Sequence, residues 1–261
     1  MRLKPTLMIL CGLALFSGFA AAEMTVDEIV AANLEAKGGE DAWKAIDTGR
    51  MTGNMRMGGG AAGAMEMPFT IEFKRPDRIR LDFTMQGMTA IQAYDGEIGW
   101  SVMPFLGKTE PEEMAEDQVK QLKNQADFEG VLVDYKEKGH TVELVGEEEV
   151  DGTPAYKLKV TRADGDIDFL YLDAEYFVEF MVEATREVQG SEVTISTVLG
   201  DYKEVDGLLF AHSMEVAYGG GEAQQVITIE SIELGIDLPD ERFAMPEKPE
   251  SEAEAEAEAA E

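Results

Sequence analysis

Two histidines, one cysteine and 15 methionines are the side chains of this 261-residue protein with the most distinctive chemistry. His140 follows Gly139 in a loop-like stretch and His212 lies in a strand-like run, and neither has further ligands at H-x-E or HExxH spacing. Residues of this kind more often serve structure than catalysis. There is no G-x-S-x-G nucleophile elbow and no Walker A loop. Gly58 to Ala64 (GGGAAGA) is glycine-rich enough to wrap a phosphate, but no lysine or helix start follows, so it reads as a hairpin tip. With 53 acidic residues, carboxylate pairs within catalytic reach arise by chance, and acid–base catalysis gains no support from them. Seven methionines, Met51, Met55, Met57, Met65, Met67, Met85 and Met88, fall between residues 51 and 88. Unbranched thioethers adapt to varied apolar ligands. Copper(I) binding at Met51, Met55 and Met57 is the rival chemistry, and the lack of accompanying histidine or cysteine counts against it. No metal site and no cofactor is expected.

The charge narrows the partners. Fifty-three acidic against 22 basic residues give a formal net charge of −31. Nucleic acid is excluded as a natural partner, because phosphate binding is driven by counterion release at Lys/Arg clusters, and anionic lipid surfaces repel the chain similarly. The hydrophobic share of 44% is nevertheless that of a folded protein.

The ends differ from the middle. Residues 1–22 combine Arg2 and Lys4, an apolar run from Leu7 to Phe19 and an Ala20-Ala21-Ala22 cleavage site, the pattern of a cleaved signal peptide. The run is shorter than the roughly 20 residues a spanning helix needs. Cys11 lies within it, so the mature chain is expected to have no disulfide or thiol chemistry, and an envelope compartment, most simply the periplasm, is implied. Residues 247–261 form an acidic Glu/Ala tail without apolar bulk, expected to be disordered. Residues 23–246 suit one β-rich domain.

Within that domain Thr25 and Glu28 make a capping box ahead of Val26, Ile29, Val30 and Leu34, and Gly38-Gly39 stops the helix. Glu40 to Ile46 reads as a second short helix that packs Trp43 on a sheet. From Gly49 the period becomes two. Phe69, Ile71 and Phe73 share one face of a strand, and Ile79, Leu81, Phe83 and Met85 share one face of the next. Further strands cover Thr89–Tyr94, Ile98–Met103, Tyr156–Val160, Ile167–Tyr171, Val178–Ala184, Val193–Leu199, Phe210–Tyr218 and Val226–Ile232. Asp-Gly pairs at 95–96, 151–152, 164–165 and 206–207 mark hairpins, so the sheet is mostly antiparallel. One helix interrupts the series, expected from Glu110 to about Gln125, with Thr109 and Glu112 as its capping box and a thin stripe of Ala115, Val119, Leu122 and Ala126. It reads equally as a movable lid or as a fixed closure.

The fold class that follows is mainly β: one long antiparallel sheet of about ten or more strands, curled into an incomplete, half-open barrel with helices at 25–46 and 110–125 over its apolar face. A two-sheet sandwich is the alternative. Phe73-Lys74-Arg75-Pro76-Asp77, Arg80, Asp95-Gly96, Trp100 and Pro104, together with the leading helix and the Phe243–Pro246 segment, resemble the periplasmic LolA-like outer-membrane lipoprotein-sorting proteins. The resemblance implies a helical lid over an apolar cavity that carries acyl chains, with Arg75 holding the lid closed. If the strand stays regular to Pro76, parity also puts Arg75 on the face of Phe69, Ile71 and Phe73, where it would need a partner; a surface arginine capping the strand end is an equal alternative. The expected cavity lining is Phe69, Ile71, Phe73, Ile79, Leu81, Phe83, Met85 and Trp100, with Ala115, Val119 and Leu122 on the lid. A non-enzymatic carrier is expected, receiving lipid or lipoprotein from an inner-membrane transporter and passing it to an outer-membrane acceptor. A sensor or regulatory module of the same fold, and more weakly a hydrolase, are the alternatives.

Overall fold

The computed structural model describes residues 24–58, 64–188 and 191–246. The signal-peptide and tail segments read from the sequence, and Cys11, lie outside the described residues, as does most of the glycine-rich tip. Among the described residues no helix is long and apolar enough to cross a membrane.

Helix α1 (Val26–Ala36) starts at Thr25, whose hydroxyl accepts from the Glu28 amide at 3.3 Å while the Glu28 carboxylate accepts from the Thr25 amide at 2.8 Å. Its buried stripe of Ile29, Val30 and Leu34 faces the sheet. Gly38 takes φ of +107° and passes so close to the next layer that a Cβ there would lie 2.3 Å from the Gly207 carbonyl oxygen. The short α2 (Glu40–Lys44) then buries Trp43, whose ring tilts against Phe210 at 4.7 Å.

Thirteen strands form one sheet: β1 (Thr48–Met57), β2 (Met65–Lys74), β3 (Arg78–Met85), β4 (Met88–Tyr94), β5 (Gly99–Met103), β6 (Lys108–Glu113), β7 (Thr141–Val150), β8 (Thr153–Thr161), β9 (Ile167–Asp173), β10 (Glu179–Val188), β11 (Ser191–Val205), β12 (Leu208–Tyr218) and β13 (Gln225–Leu234). Their order is β6-β5-β4-β3-β2-β1-β13-β12-β11-β10-β9-β8-β7, and the pairings are antiparallel. The sheet curls but stays open, with β6 and β7 as its two edges. Between β12 and β13 the ladder is restricted to Ser213–Val216 against Gln225–Thr228, and Leu209 N donates to Lys37 O at 3.1 Å, tying the α1–α2 link to β12.

Asp151-Gly152 and Asp206-Gly207 are two-residue hairpin turns with positive φ at both positions. Asp95-Gly96 and Asp164-Gly165 sit in the longer connections 95–98 and 162–166. A further turn of the two-residue type, Gln86-Gly87, carries no Asp-Gly signal.

The expected helix over 110–125 is corrected. Residues 108–113 form the edge strand β6, pairing Trp100 with Glu113 and Ser101 with Glu112, and helix α3 spans Glu116–Ala126. The Thr109–Glu112 capping box does not form; Glu112 pairs with Lys108 at 2.7 Å instead. Pro111 has no amide to donate, which suits an edge strand, and pairing with β5 outweighs the local capping signal. The helix N-cap is Ala115, whose amide donates to the Gln118 side chain at 3.3 Å. Ala115 is therefore exposed and does not share the packed stripe, where Leu122 and Ala126 are buried and Val119 half-buried.

The helices share the cover of the sheet with an irregular segment. Residues 127–139, which carry no helix pattern, insert Leu132 and Val133 fully into the main core beside Ile29, Trp43, Phe73, Leu158 and Leu172. The helices are not the only cover.

Candidate functional site

The antiparallel registers place the apolar residues of β1–β5 in rows across the concave face. The first row is Gly49–Phe73–Ile79–Tyr94–Gly99. It is fully covered: Phe73 stacks on Phe128 at 3.9 Å, and Ile79 and Tyr94 pack under Leu122 and Ala126 of α3. The Phe73 ring lies across Gly49, where a Cβ would come within 2.2 Å of it. Next come Met51–Ile71–Leu81–Gln92 and then Gly53–Phe69–Phe83–Ala90. Cover is uneven along these rows. Phe69 is buried, whereas Ile71, Leu81, Phe83 and Met85 are half-buried, with Phe83 tilted against Phe105 at 5.9 Å. Phe69, Ile71, Phe73, Ile79, Leu81, Phe83 and Met85 thus form one continuous apolar surface, plugged by protein over the Phe73–Ile79 row and only half-covered along β3.

Trp100 does not belong to it. It pairs with Ala93 and through it lies in line with Arg80 on the convex face, fully buried, its Nε1 donating to Phe243 O at 2.8 Å. The alternation that aims Gly99 at Val119 turns Trp100 to the other side. There the segment around Leu238 and Phe243 covers a charged ladder, in which Glu72, 2% exposed, receives Arg50 at 2.8 Å and Arg242 at 2.5 Å.

Arg75, at the end of β2, faces the covering elements. Its Nε donates to Ile46 O at 2.7 Å, just past α2, and its Nη2 to Trp43 O at 3.0 Å, a carbonyl that also accepts from the Ile46 amide at 3.3 Å. It pairs with Glu129 and lies 5.3 Å over the Phe128 ring. These partners belong to α2, the residues just past it and the 127–139 segment; α3, the element named from the sequence as lid, is not among them. Glu129, 5% exposed, also receives Lys138 at 2.6 Å, and Lys138 reaches Asp127 at 2.6 Å. Burial pushes the Asp127 carboxyl above its ordinary range.

Helix α3 has its own latch. Lys120 bridges to Asp164 at 3.1 Å and Asp166 at 2.8 Å in the β8–β9 turn, so α3 spans from β3–β5 to the opposite limb of the open sheet. Beneath that bridge lies a cavity of about 570 Å³ with Ile98, Met114 and Val119 on its apolar side and Lys123, His140 and Arg162 among its polar groups.

No family model matches the chain, and no curated protein matches it. Solved structures do. A LolA superfamily protein from Nitrosomonas europaea superposes with a TM-score of 0.58 at 16% identity, covering 85% of this chain and 98% of that one. A DUF1329 family protein from Desulfovibrio piger follows at 0.57 and 15%, covering 83% and 97%. A domain described as an outer membrane lipoprotein-sorting protein from Vibrio parahaemolyticus gives 0.54 and 13%, covering 80% and 95%. The chain has a LolA-like fold.

Within this LolA-like fold the sequence pointed to the concave face of β2 and β3 and missed Phe128, Glu129, Lys138 and Lys120, the residues that plug and latch it. A plug in an irregular segment has no periodicity to show it. His212 is buried, with Nδ1 3.1 Å from Phe210 O. Among the described residues no group of three or more His, Cys, Asp or Glu is arranged to hold a metal ion.

His140 is placed where it can respond to pH. Its Nδ1 accepts from the Ala163 amide at 3.0 Å, which requires that nitrogen to be unprotonated. Burial, and then the Arg162 guanidinium, hold its pKa below the ordinary value; Lys138 acts in the same sense, and Asp127 and Asp164 oppose it. The unfolded chain then binds more protons than the folded one as pH falls below about 6.5, so this group's contribution is present above that pH and is lost below it. We expect the melting temperature to fall between pH 7.5 and 5.5 by more in the wild type than in His140→Asn, whose amide oxygen can accept the same hydrogen bond. Parallel thermal melts check this, and identical pH slopes would remove His140 as the responding group.

Proposed function

We propose that the protein is a periplasmic carrier that binds lipid or lipoprotein acyl chains on the apolar concave face and passes them toward the outer membrane, by binding and release without catalysis. The observation that carries this reading is the uneven cover of that face: Phe73 and Ile79 are 1% exposed under Phe128 and α3, and Phe69 is also buried, while Ile71, Leu81, Phe83 and Met85 of the same surface are half-buried. An alkyl chain laid along the half-covered β3 side extends the core, and displacing the Phe128 plug lengthens the site. Each buried methylene contributes about 0.8 kcal/mol. The structural likeness to a lipoprotein-sorting domain and the signal-like leader support both cargo class and compartment. On this reading the handover partners are an inner-membrane transporter and an outer-membrane acceptor.

Native mass spectrometry of the protein purified from its own envelope tests the proposal. We expect a copurified species whose mass matches a lipid or an acylated protein, released by mild activation. A chain consistently free of such species, with no uptake from added acyl donors, would refute the carrier reading.

A further inference from the structure

The β1–β2 hairpin end of the concave face is built from methionine, with Met67 buried, Met55 half-buried and Met57 and Met65 exposed, in a pattern that acyl-chain binding does not require. In the β1–β2 register Met55 lies opposite Met67 and Met57 opposite Met65, so four thioethers occupy two successive same-face rungs at the tip of one hairpin. On the neighbouring hairpin Met85 lies opposite Met88. On β2 and β3 the rest of this face is Phe, Ile and Leu, residues common on apolar sheet faces. Met57 and Met65 are 45% and 42% exposed and therefore gain little from burial. The reverse face of the same hairpin end pairs Arg56 with Glu66, which keeps the carboxylate off the thioether side.

We propose that this methionine rim is a binding site for a soft monovalent cation, Cu(I) or Ag(I). Directly opposed residues have Cβ atoms about 4.5–5.5 Å apart, and successive same-face rungs are about 7 Å apart. Each methionine side chain has three rotatable bonds, so three or four sulfurs of the array can converge on one ion. Neutral thioethers select soft cations over Mg²⁺, Ca²⁺ and Zn²⁺, whose preferred ligands are oxygen, imidazole or thiolate. A net charge of −31 raises the local concentration of any cation at the surface. Binding involves no redox step: the ion enters and leaves in one oxidation state.

The test uses the full mature chain, Ag(I) as the probe, and the double variant Met57→Leu/Met65→Leu, which keeps apolar bulk. Calorimetric titration should show one Ag(I) bound per wild-type chain at micromolar affinity or better, and at least tenfold weaker binding in the variant. Addition of Ag(I) to methyl-¹³C-methionine protein should move the Met57 and Met65 methyl resonances, and Cu(I) competition against a bicinchoninate chelator should follow the same order. Circular dichroism should be the same for both proteins, and fatty-acid affinity should change far less than Ag(I) affinity because leucine keeps the apolar bulk, which separates this site from the carrier reading. Absence of Ag(I) binding to the wild type, or equal binding to both proteins, would overturn the proposal. So would a variant that loses fatty-acid affinity while Ag(I) binding is retained, since the methionines would then be an apolar wall only.

Discussion

Replacing Arg75 by leucine is expected to lower the unfolding free energy by about 2 kcal/mol and to raise the amount of lipid that copurifies. The stability term follows from what the guanidinium leaves behind. Glu129 is 5% exposed and loses one of its two cations, the Ile46 carbonyl loses the guanidinium, and the Trp43 carbonyl keeps only the Ile46 amide. Breaking a buried pair costs about 3–5 kcal/mol; we take a lower figure because Arg75 retains 28% side-chain exposure and Lys138 still neutralises Glu129. The loading term follows from the plug. Arg75 fastens Phe128 and Glu129, and Phe128 stacks on Phe73 at 3.9 Å, so cargo reaching the covered row must displace what Arg75 holds. Weakening the closed state shifts the population toward the open one and slows handover to an acceptor. Parallel purification of wild type, Arg75→Leu and Arg75→Lys checks this by lipid content, by transfer rate to acceptor vesicles and by hydrogen exchange in residues 40–46 and 127–139. Lysine keeps the charge without the planar fork and should fall between the other two. Equal lipid content and transfer rate in all three would take Arg75 out of the mechanism, whatever happens to stability.

The parts of this arrangement that were legible in the sequence are those written in a period. Alternation in Phe69–Phe73 and Ile79–Met85 identified both strands and the face they share, and the Thr25–Glu28 box located α1. What failed did so for tertiary reasons. Thr109 and Glu112 carry the local chemistry of a helix start, yet the 108–113 segment gains more by completing the edge of the sheet beside β5. Trp100 carries the bulk of a cavity residue, yet parity alone sends it to the convex face, where Phe243 supplies a carbonyl for its indole. The burial of that face depends on the segment around Leu238 and Phe243, more than 130 residues away along the chain from Trp100, and no local pattern of β2 or β3 announces such a cover. Arg75 is intermediate: parity aimed it inward, but its partners, the Trp43 and Ile46 carbonyls and Glu129, emerge only once the 127–139 segment is folded onto Phe73.

Phe83→Asp should reduce affinity for a fluorescent fatty acid on the order of 100-fold while leaving the fold intact. A chain with about ten buried methylenes, at about 0.8 kcal/mol each, gains about 8 kcal/mol, enough for micromolar binding before ordering costs. Phe83 stands in the third row of the concave face, opposite Phe69 on β2 and Ala90 on β4, and an alkyl chain advancing toward the covered row passes over it. Aspartate removes the aromatic contact and forces the chain to desolvate a carboxylate, together about 3 kcal/mol, which is about two powers of ten in Kd. Since Phe83 is only half-buried and its tilted contact with Phe105 is at 5.9 Å, the cost to folding is smaller than that to binding. Thr84→Asp supplies the control. Thr84 is the next residue on the same strand, its hydroxyl bonded at 2.9 Å to that of Thr89 on the opposite face, and a carboxylate there adds the same charge to the protein without touching the groove. Fluorescence titration should therefore separate the two variants by the full 100-fold, with melting temperatures close together. Similar affinity for both, or an unchanged affinity for Phe83→Asp alone, would place the acyl chains somewhere other than this face.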